Sequence, residues 1–151
     1  MTDLSKGIIE LEGIKLSKNT SVDDFKNVNN PNVDIKVSKH GHTYVKFKTP
    51  IVAADIAMYV NVACYTDSNS PEFELRPSMP VSIVDRGCGE RPKYCLALSK
   101  KWLKGMINDE PNEDSESISY SYEWGSIVAL VNKDRDYGLR GGEINIRFRE
   151  D

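Results

Sequence analysis

The stretch SISYSYEWGSIVALVNKDRDYGLRGGEINIRFR, residues 117–149, decides the fold. Ile118, Tyr120, Tyr122 and Trp124 share one parity, while Ser117, Ser119, Ser121 and Glu123 share the other. Apolar and polar side chains alternating with a period of two mark a strand with one face buried and one wet. Gly125 separates this strand from the apolar run Ile127–Val131, and the GLRGG segment turns into residues 143–149, where Ile144, Ile146 and Phe148 align. The stretch therefore predicts three consecutive antiparallel strands.

Upstream, the pattern changes to that of a helix. From Pro92 to about Met106, Leu98, Trp102 and Met106 recur every fourth position, flanked by Leu96 and Leu103, which gives a stripe facing a core. Pro92 suits a first helical turn, and Gly105 with the run NDEPNEDSE (108–116) ends the helix. Before it, FELRPSMPVSIVDRG (73–87) carries Pro77 and Pro80, so an edge strand or broken extended chain is expected there.

The segment IVAADIAMYVNVACYT (51–66) is the most apolar in the chain. Its even positions from Val52 to Cys64 are all apolar and its odd positions, including Asp55, Tyr59, Asn61 and Tyr65, are mixed. One long central strand with a covered face is the expectation. Residues 33–39 and 43–48 predict a hairpin around Gly41, and residues 7–16 a first strand bulged at Gly13. A short helix is expected over 21–28, with Ser21 as N-cap, Asp23 and Asp24 in its first turn, and an apolar stripe of Val22, Phe25 and Val28. Together these elements predict a single α+β domain spanning residues 1–151. Its sheet is predominantly antiparallel, of about six or seven strands, with one main helix packed on a face and a second short helix nearby.

Composition bounds the function. Apolar residues at 39% and charged residues at 28% of 151 describe an ordinary globular chain rather than a disordered one. A net charge of -3 argues against nucleic acid as the main ligand, because phosphate binding needs concentrated Lys and Arg. No apolar run approaches the roughly eighteen residues of a membrane span, and the N-terminus lacks the apolar centre of a signal segment. Three cysteines, Cys64, Cys88 and Cys95, are an odd set without metal-ligand spacing, so a reducing, cytoplasmic setting is expected.

Chemical motifs are sparse. His40 and His42 flank a glycine, and two imidazoles alone do not close a metal site, so a turn is the reading and no metal is assigned. The loop Arg86-Gly87-Cys88-Gly89-Glu90-Arg91-Pro92 lies between an apolar run and a helix, where glycines can bring backbone N–H groups to a phosphate, yet it completes neither phosphate-binding motif. Cys88 beside Arg86 and Arg91 could be an activated thiol, although Tyr94 stands where a Cys-x5-Arg motif needs arginine. A GxSxG serine elbow is missing. Glu72 and Glu74 are paired carboxylates whose spacing alone establishes no glycosidase geometry. No catalytic residue and no cofactor is assigned.

The acidic run Asp109, Glu110, Glu113, Asp114 and Glu116 has no intervening base. As a solvated loop it needs no function; as a contact surface its negative potential would steer a basic protein. Tyr44 and Tyr137 fall on expected exposed positions and are interface candidates, whereas Trp102, Tyr120, Tyr122 and Trp124 read as core.

Trp102-Leu103, Tyr122-x-Trp124-Gly125-Ser126-Ile127, Asp134-Arg135 and Ile144-x-Ile146, with the opening IELEGIKLSKNTSVDDF (9–25), carry a resemblance. The pattern is similar to that of small uncharacterised bacterial proteins, some of which resemble immunity proteins of polymorphic or contact-dependent toxin systems. The resemblance implies a non-catalytic protein-binding module that neutralises a toxin domain by occluding its active site. Read as the contact surface, the acidic loops make a basic toxin domain the expected partner, with Asp109, Glu110, Glu113, Asp114 and Glu116, joined by Asp134, Asp136 and Tyr137, as the expected partner-binding residues. Two alternatives stay open: a small-ligand-binding or structural protein using the concave face of the sheet, and an enzyme centred on Cys88.

Overall fold

A computed structural model gives the fold, and it describes residues 1–80, 90–132 and 140–150. The three strands read from the opening stretch are present as β9 (Ser117–Tyr122), β10 (Gly125–Asn132) and β11 (Arg140–Phe148). Ile118 and Tyr120 are buried and the serines between them are not, as the alternation requires. Trp124 departs from the expected strand position: it lies in the turn between β9 and β10 and its Nε1–H donates to the Ser5 carbonyl at 2.8 Å.

The helix expected from Pro92 is α1 (Glu90–Met106). Trp102 and Leu103 are fully buried, and the Trp102 Nε1–H donates to the Ile51 carbonyl at 3.0 Å, so the deepest side chain of the helix also satisfies its one polar atom. The second short helix is a 3-10 turn, Val22–Phe25, rather than an α-helix over 21–28. Its start is as expected, with the Ser21 N–H donating to the Asp24 carboxylate at 2.8 Å. So short a segment offers too few backbone bonds to repay helix nucleation, and Phe25 alone anchors it in the core.

Two hairpins replace two expected single strands. Residues 7–16 fold as β1 (Ile9–Leu11) and β2 (Ile14–Leu16), paired through a two-residue turn with Glu12 at φ 52° and Gly13 at φ 74°. Residues 51–64 fold as β5 (Ile51–Ala53) and β6 (Ile56–Cys64), turning at Ala54 (φ 51°) and Asp55 (φ 61°). Positive φ at both central residues is the arrangement that suits strand twist in tight hairpins. An Ala-Asp pair lacks the usual Asn-Gly signal, which is why the chain reads as one strand there. The expected burial of even positions holds within β6, while Val52 is exposed on β5.

The remaining strands are β3 (Val33–Val37), β4 (Thr43–Phe47), β7 (Glu72–Pro77) and β8 (Asn112–Asp114). β3 and β4 form the expected hairpin. Among the described residues the main sheet has nine strands, more than the six or seven expected, in the order β3-β4-β6-β7-β11-β10-β9-β8, all antiparallel. β4 and β5 lie end to end along the same side of the long strand β6. β7 is central, flanked by β6 and β11, and not the edge strand that its prolines suggested. Pro77 closes the strand beyond the last residue paired with β11, and the Ser78 N–H takes up the ladder by donating to the Ala57 carbonyl at 2.9 Å.

Among the described residues, one face of this sheet is covered. Alternate residues such as Val45, Met58, Val60, Val62, Phe73, Leu75, Ile118, Ile127, Ile144 and Ile146 form one core with Leu96, Trp102 and Leu103 of α1. Leu4, Ile9, Leu11, Leu16 and Phe25 of the N-terminal segment complete it. α1 crosses β11 at Gly142, where Leu130 of β10 stands opposite both Gly142 and Glu143. Gly142 has φ 69°, so this is a bulge with glycine in the left-handed conformation. A Cβ there would lie 2.5 Å from the Pro92 carbonyl oxygen and from the Leu96 nitrogen. The buried Ser99 hydroxyl donates to the Gly142 carbonyl at 2.8 Å, fixing the crossing.

Candidate functional site: a cleft on the open face of the sheet

Because side chains alternate along a strand, burying one parity leaves the other as a second surface. The register places its residues in rows across the strands. One row runs Asp34, Lys46, Asn61, Glu74, Asn145; the next runs Lys36, Tyr44, Ala63, Glu72, Arg147. At the middle of the two rows stand the short side chains of Asn61 and Ala63, surrounded by long ones. A cleft of about 350 Å³ forms over them, lined by both rows except Arg147 and closed at one end by Tyr65. Val45, Val62 and Phe73 also line it, and since their side chains are buried in the core they contribute main chain.

The charges in the cleft are sorted. Lys36 and Lys46 come from β3 and β4, and neither has an ion-pair partner among the described residues, although Asp34 is the cross-strand neighbour of Lys46. Glu72 and Glu74 come from β7, on the far side of β6. Arg147 Nε stands 3.8 Å from Glu72, a loose contact, and Arg76 Nε bonds one oxygen of Glu74. Tyr44 and Tyr65 meet edge to face with centroids 6.2 Å apart, and Tyr65 meets His42 in the same way at 5.2 Å. Burial, then the nearby Glu72, Tyr44 and Glu74, hold the Tyr65 hydroxyl above its ordinary pKa, so it is a neutral hydrogen-bonding group at physiological pH. Asn61 Oδ1 is buried and has no hydrogen-bond partner among the described residues. An unmatched buried acceptor costs on the order of 1–3 kcal/mol, and this atom, shut off from solvent, bears that cost within the fold.

The acidic run is organised differently from the solvated loop its composition suggests. Residues 112–114 form β8, the sheet's outermost strand on that side. Glu113 bridges Lys100 and Lys104 of α1 at 3.2 and 2.7 Å, and those two hydrogen bonds hold its carboxyl below the usual range. Asp114 accepts from the Glu116 N–H at 2.8 Å and from the Ser117 hydroxyl at 3.1 Å, and its pKa is lowered by the same bonds. Asp109 accepts from the Tyr122 hydroxyl at 2.8 Å. Glu110 and Glu116 are exposed. The five acidic residues are thus neighbours at one sheet edge, with part of their charge answered by the protein itself. Asp134, Asp136 and Tyr137 lie outside the described residues, as does Cys88.

His40 and His42 occupy the β3–β4 turn, and the His42 Nδ1 accepts from the Thr66 N–H at 3.1 Å. Among the described residues no cluster of three or more His, Cys, Asp or Glu is placed to hold a metal. Cys64 and Cys95 are buried free thiols whose pKa values burial raises, that of Cys95 to about 11, the opposite of an activated nucleophile. No described helix is long and apolar enough to cross a membrane.

Sequence reading picked out Tyr44, which is 41% exposed, and noted Glu72 and Glu74 as a pair. It did not bring them to Lys36, Lys46 and Asn61. The only signal available was the mixed odd face of 51–65, and the partners of that face are set by long-range register. In comparisons with protein-family models, with curated proteins and with solved structures, nothing matches the chain.

Proposed function

We propose that the protein acts by binding rather than by catalysis, and that the cleft on the open face is where it binds a small ligand. The observation that carries this reading is the cleft itself: a hollow over Asn61 and Ala63 lined by charged side chains and two tyrosines. Its volume of about 350 Å³ lies within the range of small-molecule sites. The test is thermal unfolding against a panel of amino acids, dipeptides, sugars, nucleosides and carboxylic acids, run on the protein and on Ala63→Trp, which fills the cleft from a half-exposed position. A compound at a hundred times its Kd adds about 2.7 kcal/mol, which raises Tm by several degrees. Such a shift, lost in Ala63→Trp, is expected. A panel that leaves Tm unmoved, or shifts that survive Ala63→Trp, refutes the reading.

The resemblance to immunity proteins supplies a second reading, in which a basic toxin domain is occluded by the acidic edge. What favours it is that pairing of β8 with β9 fixes the backbone beneath Glu113 and Asp114, and Asp109 is tied to Tyr122 at the end of β9, so part of the acidic run is presented on a set framework. Since Asp109, Glu113 and Asp114 also serve the fold, the informative change is Glu110→Lys at an exposed position. A basic protein that co-purifies stoichiometrically from the native host and is lost on this change supports the reading. Retention of that protein by Glu110→Lys removes it.

A further inference from the structure

We infer that the ligand of the open-face cleft is a small zwitterion whose anionic and cationic groups are several bonds apart. The inference rests on the cleft being a binding site and adds the class of ligand. Lys36 and Lys46 stand on one side of β6 with their ammonium groups unpaired, while Glu72 and Glu74 stand on the other side. Strands lie about 4.8 Å apart, so β4 and β7 are separated by roughly 10 Å across β6. Lys46 and Glu74 thus flank Asn61 on neighbouring strands, as Tyr44 and Glu72 flank Ala63, with Lys36 one strand further out on β3.

A ligand carboxylate fits the lysine side, where two ammonium groups lack a partner. A ligand ammonium fits the glutamate side, where among the described residues Glu72 has the 3.8 Å contact to Arg147 and Glu74 has one oxygen engaged by Arg76. A simple anion would be drawn to the lysines and repelled by the glutamates; a simple cation would meet the converse. Neutral sugars would leave both sides unanswered. Asp34 and Arg147 lie at the outer ends of the two rows and partly offset the nearer charges. The edge-to-face tyrosine pair at the end of the cleft offers aromatic surface to the carbon chain between them.

The experiment is calorimetric or thermal-shift titration with ω-amino acids from β-alanine to ε-aminocaproate and with free dipeptides. Butyrate, butylamine and glucose serve as single-charge and neutral controls. Expected is a preferred chain length, with the single-charge controls at least tenfold weaker than the matching amino acid. Lys36→Glu with Lys46→Glu, both at exposed positions, should abolish zwitterion binding and bring in the amine. Equal binding of butyrate and γ-aminobutyrate, or unaltered binding in the lysine variant, overturns the inference. Binding of a neutral compound that Ala63→Trp blocks would overturn it too while leaving the cleft as a binding site. Absence of binding by every compound would end both.

Discussion

The crossing of α1 over β11 makes Gly142→Ala a quantitative test of the fold. Two costs add at this residue. Its φ of 69° is left-handed, which a side chain makes less favourable by about 1–2 kcal/mol. The new methyl also meets the Pro92 carbonyl oxygen and the Leu96 nitrogen at 2.5 Å and the Leu96 Cα at 2.9 Å. These are backbone atoms of a helix, so no rotamer change relieves the overlap and α1 must move off the sheet. Overpacking of this kind costs typically about 1–3 kcal/mol, giving roughly 2–5 kcal/mol in all. Gly13→Ala is the control, since Gly13 has φ 74° in a hairpin turn with nothing within 4 Å of the added methyl. It should bear the conformational cost alone. Urea unfolding of the two variants beside the parent measures the difference directly. Equal losses in Gly142→Ala and Gly13→Ala would show that the helix does not press on the bulge, and the described packing of α1 would be wrong.

Other expectations follow from single contacts. Asp55→Gly relieves a positive φ in the β5–β6 turn and should stabilise the protein by about 0.5–1 kcal/mol in urea unfolding, unless that turn is not left-handed. Cys95 has its pKa raised from 9.0 to about 11 by burial, so the unfolded chain loses its proton first as pH rises. Its contribution to stability is therefore complete below pH 9 and declines between 9 and 11, and Cys95→Ala should show a flatter stability profile across that interval. Tyr122 is held above its ordinary pKa by burial and then by its hydrogen bond to Asp109. Ultraviolet titration of Asp109→Asn should thus show one tyrosine ionising at lower pH than in the parent, and an unchanged curve would contradict the hydrogen bond. Trp102→Ala should cost about 3–5 kcal/mol, as large cavities at fully buried aromatic residues do.

Features set by near neighbours in the chain were legible in the sequence. Alternation at 117–122 gave β9, and the stripe of Leu98, Trp102 and Met106 gave α1. The β3–β4 hairpin announced itself through Gly41. Glu12-Gly13 and Ala54-Asp55 did not, because a non-glycine residue in the left-handed region leaves no compositional mark; their turns are imposed by the strands they join. β7 was misplaced to an edge because a proline was weighed without knowing that it sits past the end of one neighbour. Glu113 could be seen as acidic but not as the partner of Lys100 and Lys104, which depends on where β8 lies against α1. The cleft was the least legible feature. Lys46, Asn61 and Glu74 come from three strands and meet only through register.

A one-sided sheet separates two kinds of heritable information on the same strands. In β6 the residues at 56, 58, 60, 62 and 64 are buried in the core, while 57, 59, 61 and 63 face outward. Exchange of an outward residue leaves the core's shape intact, so selection can revise what the open face recognises without first repairing the fold. Descendants of such a chain could share an architecture and yet diverge in specificity after a handful of substitutions, all of them at alternate positions.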